Sequence, residues 1–111
     1  MKKISGKVVR VRTLKRKAFN KTGIVIVFQI QGIGEVARTF NLPPTPHSKK
    51  SELVKFLNST LNVKIPNELW HSPHSFVKEL EEKIKDFNFL LDLNESFNPS
   101  FPYNINSISL A

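Results

Sequence analysis

The run from Gly23 to Gln31 limits the possible folds of this chain more than any other segment. Isoleucines and Phe28 recur at every second position, and Val25, Val27 and two glutamines occupy the alternate positions. Strict alternation of β-branched and aromatic residues is typical of a strand with one buried face. We therefore predict a strand here whose second face is mixed and only partly covered.

A second apolar run, Ile4 to Leu14, precedes this strand. Its alternation reverses at Val8 and Val9, so that the apolar residues change sides. A reversal of this kind predicts a β-bulge or a sharp bend, which Gly6 would ease. Strongly bent first strands are what small barrels need to turn a corner.

Cations crowd the first strand of this predicted hairpin and the connection that follows it. Arg10 and Arg12 alternate with Val9 and Val11, so we expect the arginines on the face opposite these valines. The connection that follows, residues 13–22, is dense in Lys and Arg and holds one aromatic residue. We predict that the hairpin faces a polyanion.

A third strand is predicted over Glu35–Leu42, where apolar residues again alternate. Arg38 falls in the apolar phase of that strand, an unfavourable place for a charge. Either a register shift moves Arg38 to the outer side, or it lies at a barrel mouth and faces ligand. The sequence leaves both arrangements open.

Prolines end the third strand, and two helices are predicted after them. The first starts at Thr45 or Ser48 and carries an apolar stripe through Lys49–Leu61. The second starts near Ser72-Pro73, and its glutamates and lysines are expected to form a solvated face. Trp70, between the two helices, is expected in the core.

Two further strands complete the order. Alternating residues predict a strand over Asp86–Asn94, a Phe-rich loop over Glu95–Pro102, and a weaker strand over Tyr103–Leu110. Three strands, two helices and two strands (βββ-α-α-ββ) match a mainly β protein with a five-stranded Greek-key OB barrel. We expect residues 1–111 to form one such domain.

The charge of the chain is distributed unevenly. Residues 1–50 hold 12 Lys and Arg and a single acid, Glu35, whereas residues 51–111 hold 5 Lys and 8 acids. These counts give +11 and −3, and such a one-sided basic footprint favours phosphate-bearing partners. There is no cysteine and no long apolar run, so we expect a cytoplasmic protein without disulfides or membrane spans.

Catalysis finds little support in the sequence. The three histidines, His47, His71 and His74, lie near prolines in connecting segments, and no third metal ligand accompanies the last two. Glycine-rich phosphate loops and nucleophile elbows are absent. We expect no enzymatic activity, no cofactor and no metal.

Nucleic-acid binding finds more support, because single-strand binders combine a positive groove with aromatic platforms for the bases. In an OB barrel, the loop between the first two strands and the loop between the last two flank the binding face. Here these are the basic loop and the Phe-rich loop, which we expect to lie beside each other. The candidate binding residues are Lys7, Arg10, Arg12, Lys15, Arg16, Lys17, Phe19, Lys21, Arg38, Phe97, Phe101 and Tyr103.

The chain resembles the small OB-fold single-stranded-DNA-binding proteins of phages and mobile elements. The resemblance lies in the opening Ile4–Val9, the strand Gly23–Gln31, the segment Ser51–Leu57 and the closing Phe101–Ile108. It is a likeness of architecture over nearly the whole chain. It implies sequence-tolerant binding of single-stranded DNA in replication or recombination.

Other functions stay open on the sequence alone. The ligand can be RNA instead of DNA, and the protein can form a homo-oligomer. OB barrels also serve as protein-interaction or assembly modules, in which Val25, Val27, Phe97 and Phe101 would form a dry interface.

Overall fold

Five antiparallel strands in a curled sheet dominate the computed structural model of the protein, which describes residues 3–16, 21–43, 47–48, 50–95 and 103–111. The strands are β1 (Lys3–Arg16), β2 (Lys21–Ile30), β3 (Gly34–Asn41), β4 (Phe89–Glu95) and β5 (Tyr103–Leu110). Their order across the sheet is β3-β2-β1-β4-β5. The βββ-α-α-ββ order is confirmed, and the architecture is consistent with an OB-like barrel.

The edge strands β3 and β5 approach each other but are not joined by a hydrogen-bonded ladder in the described residues. Some of their Cα atoms lie within 8 Å of each other, and the sheet curls far enough for both strands to border one gap. The sheet is therefore a half-barrel that is open between β3 and β5.

The first helical segment starts later than the sequence predicts. Helix α1 spans Glu52–Lys55 and continues as a π-helical turn, Phe56–Leu61. Ser51 is its N-cap and accepts a hydrogen bond from the Val54 amide at 3.3 Å, so neither Thr45 nor Ser48 begins it. Asn62 ends it with a φ of 53°, a left-handed conformation that Asn tolerates better than most residues.

The second helical segment agrees with the prediction. A 3₁₀ helix, Asn67–His71, leads into helix α2, Pro73–Ile84, whose first residue is the expected proline. Trp70 is buried, and its indole N–H donates to the Ile65 carbonyl at 3.3 Å. The placement of Trp70 in the core is confirmed.

The core lies between the inner face of the sheet and the helices. Ile24, Ile26 and Phe28 of β2 are fully buried, and the Phe28 and Phe89 rings meet edge to face with centroids 5.3 Å apart. Helix α2 adds its predicted apolar stripe of Phe76, Val77, Leu80 and Ile84.

Strand β1 is long enough to pair with two strands, β4 near its start and β2 over the rest of its length. Lys3–Gly6 pairs with β4, whereas pairing with β2 continues to the end of β1. Beyond Gly6 the second edge of β1 therefore has no strand beside it within the described part of the chain, and α2 packs against β1. The Val11 amide donates to the Glu81 carboxylate at 2.9 Å. The sequence predicts that the glutamates and lysines of this helix form a solvated face. Glu81 departs from that prediction, because its carboxylate binds the backbone of β1.

Candidate functional site

A β-bulge in β1 decides which side chains share a face of the sheet. Val8 pairs with Phe28 and Arg10 pairs with Val27, so Val9 is an extra residue without a partner on β2. The predicted bulge is confirmed, but Val9 is 43% exposed and does not continue an apolar face with Val11. Because of this extra residue, Lys7 and Arg10 lie on the same side of the sheet although they are three positions apart.

The outer face of β1–β3 is the side turned away from the core. The register places on it Lys7, Arg10 and Arg12 of β1; Gln29, Val27 and Val25 of β2; and Glu35, Ala37 and Thr39 of β3. The predicted position of the two arginines, opposite Val11, is confirmed. This face gathers cations from β1 along one side of a narrow apolar strip.

The apolar strip on this face is more completely covered than the sequence predicts. Val25 and Val27 are only 2% and 4% exposed, yet neither belongs to the main core cluster. Their cross-strand neighbours on β1 are Arg12 and Arg10, whose aliphatic stems can cover apolar surface while the charged heads stay in water. Because both valines are already buried within the chain, they cannot supply the dry interface considered above.

One ion pair crosses the outer face. The Arg10 guanidinium donates to both Glu35 carboxylate oxygens, with Nη2 at 2.5 Å from Oε1 and Nη1 at 3.4 Å from Oε2. Arg10 is on β1 and Glu35 is on β3, so the pair spans β2, which lies between these two strands. Both side chains remain about half exposed.

The other described cations of β1 have no carboxylate partner among the described residues. Lys7, Arg12 and Lys15 are exposed and take part in none of the ion pairs there. The two lysines at the C-terminal end of α2 differ, because Lys83 pairs with Glu79 at 3.2 Å and Lys85, which follows the last helical residue, pairs with Glu82 at 2.8 Å. The hydrogen bond to Glu82 raises the pKa of Lys85. The positive charge of β1 is therefore available to an external anion.

Arg38 lies on the other side of the sheet from these cations. It pairs with Ile26 in an unshifted register, so its side chain starts from the inner face. There it binds Glu52 of α1 at 3.0 Å and lies 5.0 Å from the centre of the Phe40 ring. It borders the gap between β3 and β5, a cavity of about 200 Å³. Of the two predicted arrangements, the register shift is wrong, and the structure does not bring Arg38 together with Arg10 and Arg12.

Two further candidates are also separate from the outer face. Lys15 pairs with Thr22 and is in phase with Val11, which places it on the opposite side of the hairpin. Tyr103 pairs with Glu95 and packs, half-buried, against the core. Neither side chain joins the cluster of Lys7, Arg10 and Arg12.

Several candidates lie outside the described residues. These are Lys17, Phe19, Phe97 and Phe101, and the side chains of Arg16 and Lys21 are also not described, although their backbones pair at the end of the hairpin. No Phe, Tyr or Trp side chain among the described residues is exposed. The predicted stacking platforms thus remain predictions.

The β1–β2 connection and the β4–β5 connection start near opposite ends of β1. Arg16 and Lys21 form the last pair at the C-terminal end of β1, whereas β4 runs antiparallel from Gly6 towards Lys3 and on to Glu95. The Phe-rich connection therefore starts beyond the N-terminal end of β1. These starting points lie at opposite ends of β1 because β4 pairs with the start of β1 and not with its end. The expectation that the basic loop and the Phe-rich loop lie beside each other falls on residues outside the described ones, so it stays a prediction.

A cleft that sequence reasoning missed borders the ends of β2 and β3. It has a volume of about 650 Å³, and residues of β3, the start of α1 and the 3₁₀ helix line it. Thr39 lines both this cleft and the outer face, and Lys50 and His71 add basic groups on the far side. The only sequence signal for it was the proline-rich break after β3.

The described residues contain neither a metal cluster nor a membrane span. No group of three or more His, Cys, Asp or Glu side chains there is placed to hold a metal ion. None of the helices described has the length and apolar character needed to cross a bilayer.

Comparison with known proteins gives no further guide. The chain matches no protein-family model, no curated protein and no solved structure. Any functional conclusion therefore rests on the chain's own residues and their geometry.

Proposed function

We propose that the outer face of β1–β3 binds single-stranded nucleic acid, preferentially DNA, with little dependence on base sequence. The observation that carries the proposal is the alignment of Lys7, Arg10 and Arg12 on one face by the bulge in β1. Phosphates are bound mainly by such cations, and contacts to phosphate alone carry no sequence information.

The position of this face on the fold supports the same ligand. OB-like barrels bind oligonucleotides across strands 2 and 3, next to the loop between strands 1 and 2. In this protein β2 and β3 form the middle and far side of the outer face, and the β1–β2 connection carries further cations in its sequence. A single strand crossing β1–β3 would pass from Arg12 over Val25 to Thr39 at the cleft.

The bases need apolar or aromatic contacts that the described part of the face supplies only sparsely. Val9 and Leu14 are exposed large apolar side chains on β1. We propose that Phe19 in the basic connection provides a stacking platform, worth about 1–3 kcal/mol for one base. Phe97 and Phe101 would extend the contact from the other end of β1.

In this proposal the protein coats or protects single-stranded DNA during replication or recombination. That role follows the resemblance to the phage and mobile-element proteins, and it requires no catalysis, cofactor or metal. The place of action would be the cytoplasm.

The decisive experiment is a fluorescence titration of oligo-dT across a salt series. We expect affinity to fall linearly with salt on a log–log plot, with a slope of about −0.7 for each phosphate neutralised. Arg12→Gln should weaken binding and make the slope shallower, that is less negative, by about 0.7. Lys78→Gln, which removes an equal charge from the exposed side of α2, is the matched control and should leave the slope unchanged.

The same titration separates the alternatives. Tighter binding of oligo-U than of oligo-dT would assign the face to RNA. If the wild-type protein shows no salt-sensitive binding to either polymer, or if Arg12→Gln and Lys78→Gln behave alike, the proposed face is wrong.

A further inference from the structure

The single acid among the first 50 residues lies on the proposed binding face. Glu35 stands near the start of β3, where its carboxylate reaches across β2 to the guanidinium of Arg10. The same 50 residues contain twelve lysines and arginines. Its pairing with a cation of the outer face has a direct effect on the charge that this face presents.

The geometry of this pair imitates a phosphate contact. Two guanidinium nitrogens of Arg10 each donate to a different oxygen of Glu35. Arginine binds phosphate oxygens with the same planar fork of donors. A phosphate bound by this fork of Arg10 would therefore occupy the position that the carboxylate now fills.

The pair is also weak enough to be exchanged. Both side chains are about half exposed, and ion pairs in such surroundings contribute little because water and salt screen them. Lys7 and Arg12 on the same face have no carboxylate partner among the described residues. A polyanion that first binds Lys7 and Arg12 would then reach Arg10 while the Glu35 carboxylate still occupies its guanidinium.

We propose that Glu35 is an internal competitor for the polyanion, which holds Arg10 in the free protein and gives it up when nucleic acid binds. The inference rests on the proposed function of the outer face and adds a residue that sets its affinity. Glu35 costs affinity in two ways, because it must be displaced from Arg10 and because its charge then remains near the phosphates. Its presence reduces the effective number of phosphate-neutralising cations by about one.

The test compares Glu35→Gln with wild-type protein in the oligo-dT titration across a salt series. Releasing Arg10 from an exposed ion pair should tighten binding about 1.5- to 5-fold near 0.1 M salt. The log–log salt slope should steepen by about 0.7. In a protein that already carries Arg10→Gln, adding Glu35→Gln should increase the affinity for oligo-dT less than it does in wild-type protein, because no Arg10 guanidinium is left to be released.

Glu52→Gln is the matched control. It removes the same charge from the same type of pair, but its partner Arg38 lies on the inner side of β3. We expect Glu52→Gln to change neither the affinity nor the slope beyond the small effect of one added positive charge. Glu35→Ser offers a second variant at the site if glutamine should disturb folding, which thermal melting would reveal.

The outcomes separate this inference from the proposed function. If wild-type protein binds with the expected salt dependence but Glu35→Gln binds no more tightly than Glu52→Gln, the competitor role is wrong and the binding face stands. If neither wild-type protein nor Glu35→Gln shows salt-sensitive binding, the proposed function fails and the inference with it. If Glu35→Gln increases the affinity for oligo-dT more than Glu52→Gln does, and this increase depends on Arg10, the result supports both the binding face and the competitor role of Glu35.

Discussion

The two faces of β1–β3 both contain buried residues of β2, but the inner face is closed by the core and the outer face is mostly exposed. On the inner face, Ile26 and Phe28 are fully buried against helices and other strands. On the outer face, Val25 and Val27 are buried outside that core, beside residues whose charged ends remain exposed. The inner face therefore carries the core, whereas the outer face presents the charged ends of Lys7, Arg10 and Arg12 to solvent.

The largest expected effect tests the inner face. Phe28→Ala removes a ring that is fully buried and in edge contact with Phe89, so it should leave a cavity between β2 and β4. We expect it to lower the free energy of unfolding by about 3–5 kcal/mol, measured by urea denaturation. A loss below about 1 kcal/mol would mean that the inner face does not carry the stability assigned to it.

The second largest expected effect on stability is at Gly6, where the backbone lies close to core side chains. A Cβ atom at Gly6 would lie 2.9 Å from Leu91 Cδ1 and 3.3 Å from Ile30 Cγ1. Gly6→Ala should therefore force these side chains aside and cost about 1–3 kcal/mol of unfolding free energy. Ser5→Ala, at the exposed neighbouring position, is the control and should stay within about 0.5 kcal/mol of wild type.

The third effect tests the outer face with the same measurement. Val27→Ala removes two buried carbons from beneath the Arg10–Glu35 pair, and we expect a loss of about 1–2 kcal/mol. This is clearly less than the cost of Phe28→Ala. Equal losses at the two positions would contradict the distinction between a packed face and a covered one.

The smallest effect concerns the arginine on the inner side. Arg38→Gln breaks an exposed pair with Glu52, so stability should fall by no more than about 1 kcal/mol. Its oligo-dT salt slope should equal that of wild type, whereas Arg12→Gln makes the slope shallower by about 0.7. An equally shallow slope for Arg38→Gln would show that the nucleic acid reaches the gap between β3 and β5.

The sequence was sufficient to predict the elements and the inner face. Period-two alternation identified β2, and the reversal at Val8 and Val9 located the bulge. Alternation alone was not sufficient to place Val9, because the residue that a bulge leaves unpaired depends on the register with the partner strand. Nor could it show that Val25 and Val27 are buried although they lie outside the main core cluster.

Long-range pairing explains what the sequence left open at the candidate site. Arg10 and Glu35 are 25 positions apart, and their contact depends on the registers of three strands together. The opposite departure of the two hairpin connections likewise follows from the pairing of β4 with Lys3–Gly6. The cleft at the ends of β2 and β3 depends on where the helices pack, which no local pattern specifies.

The hydrogen bond from the Val11 amide to Glu81 also bears on how the protein avoids aggregation. Past Gly6, one edge of β1 has left β4, and an unpaired strand edge is a template for pairing with another chain. Glu81 occupies a donor on that edge and brings a negative charge and a helix against it. A carboxylate of α2 thus blocks edge-to-edge self-association of β1 at the point where β4 no longer pairs with it.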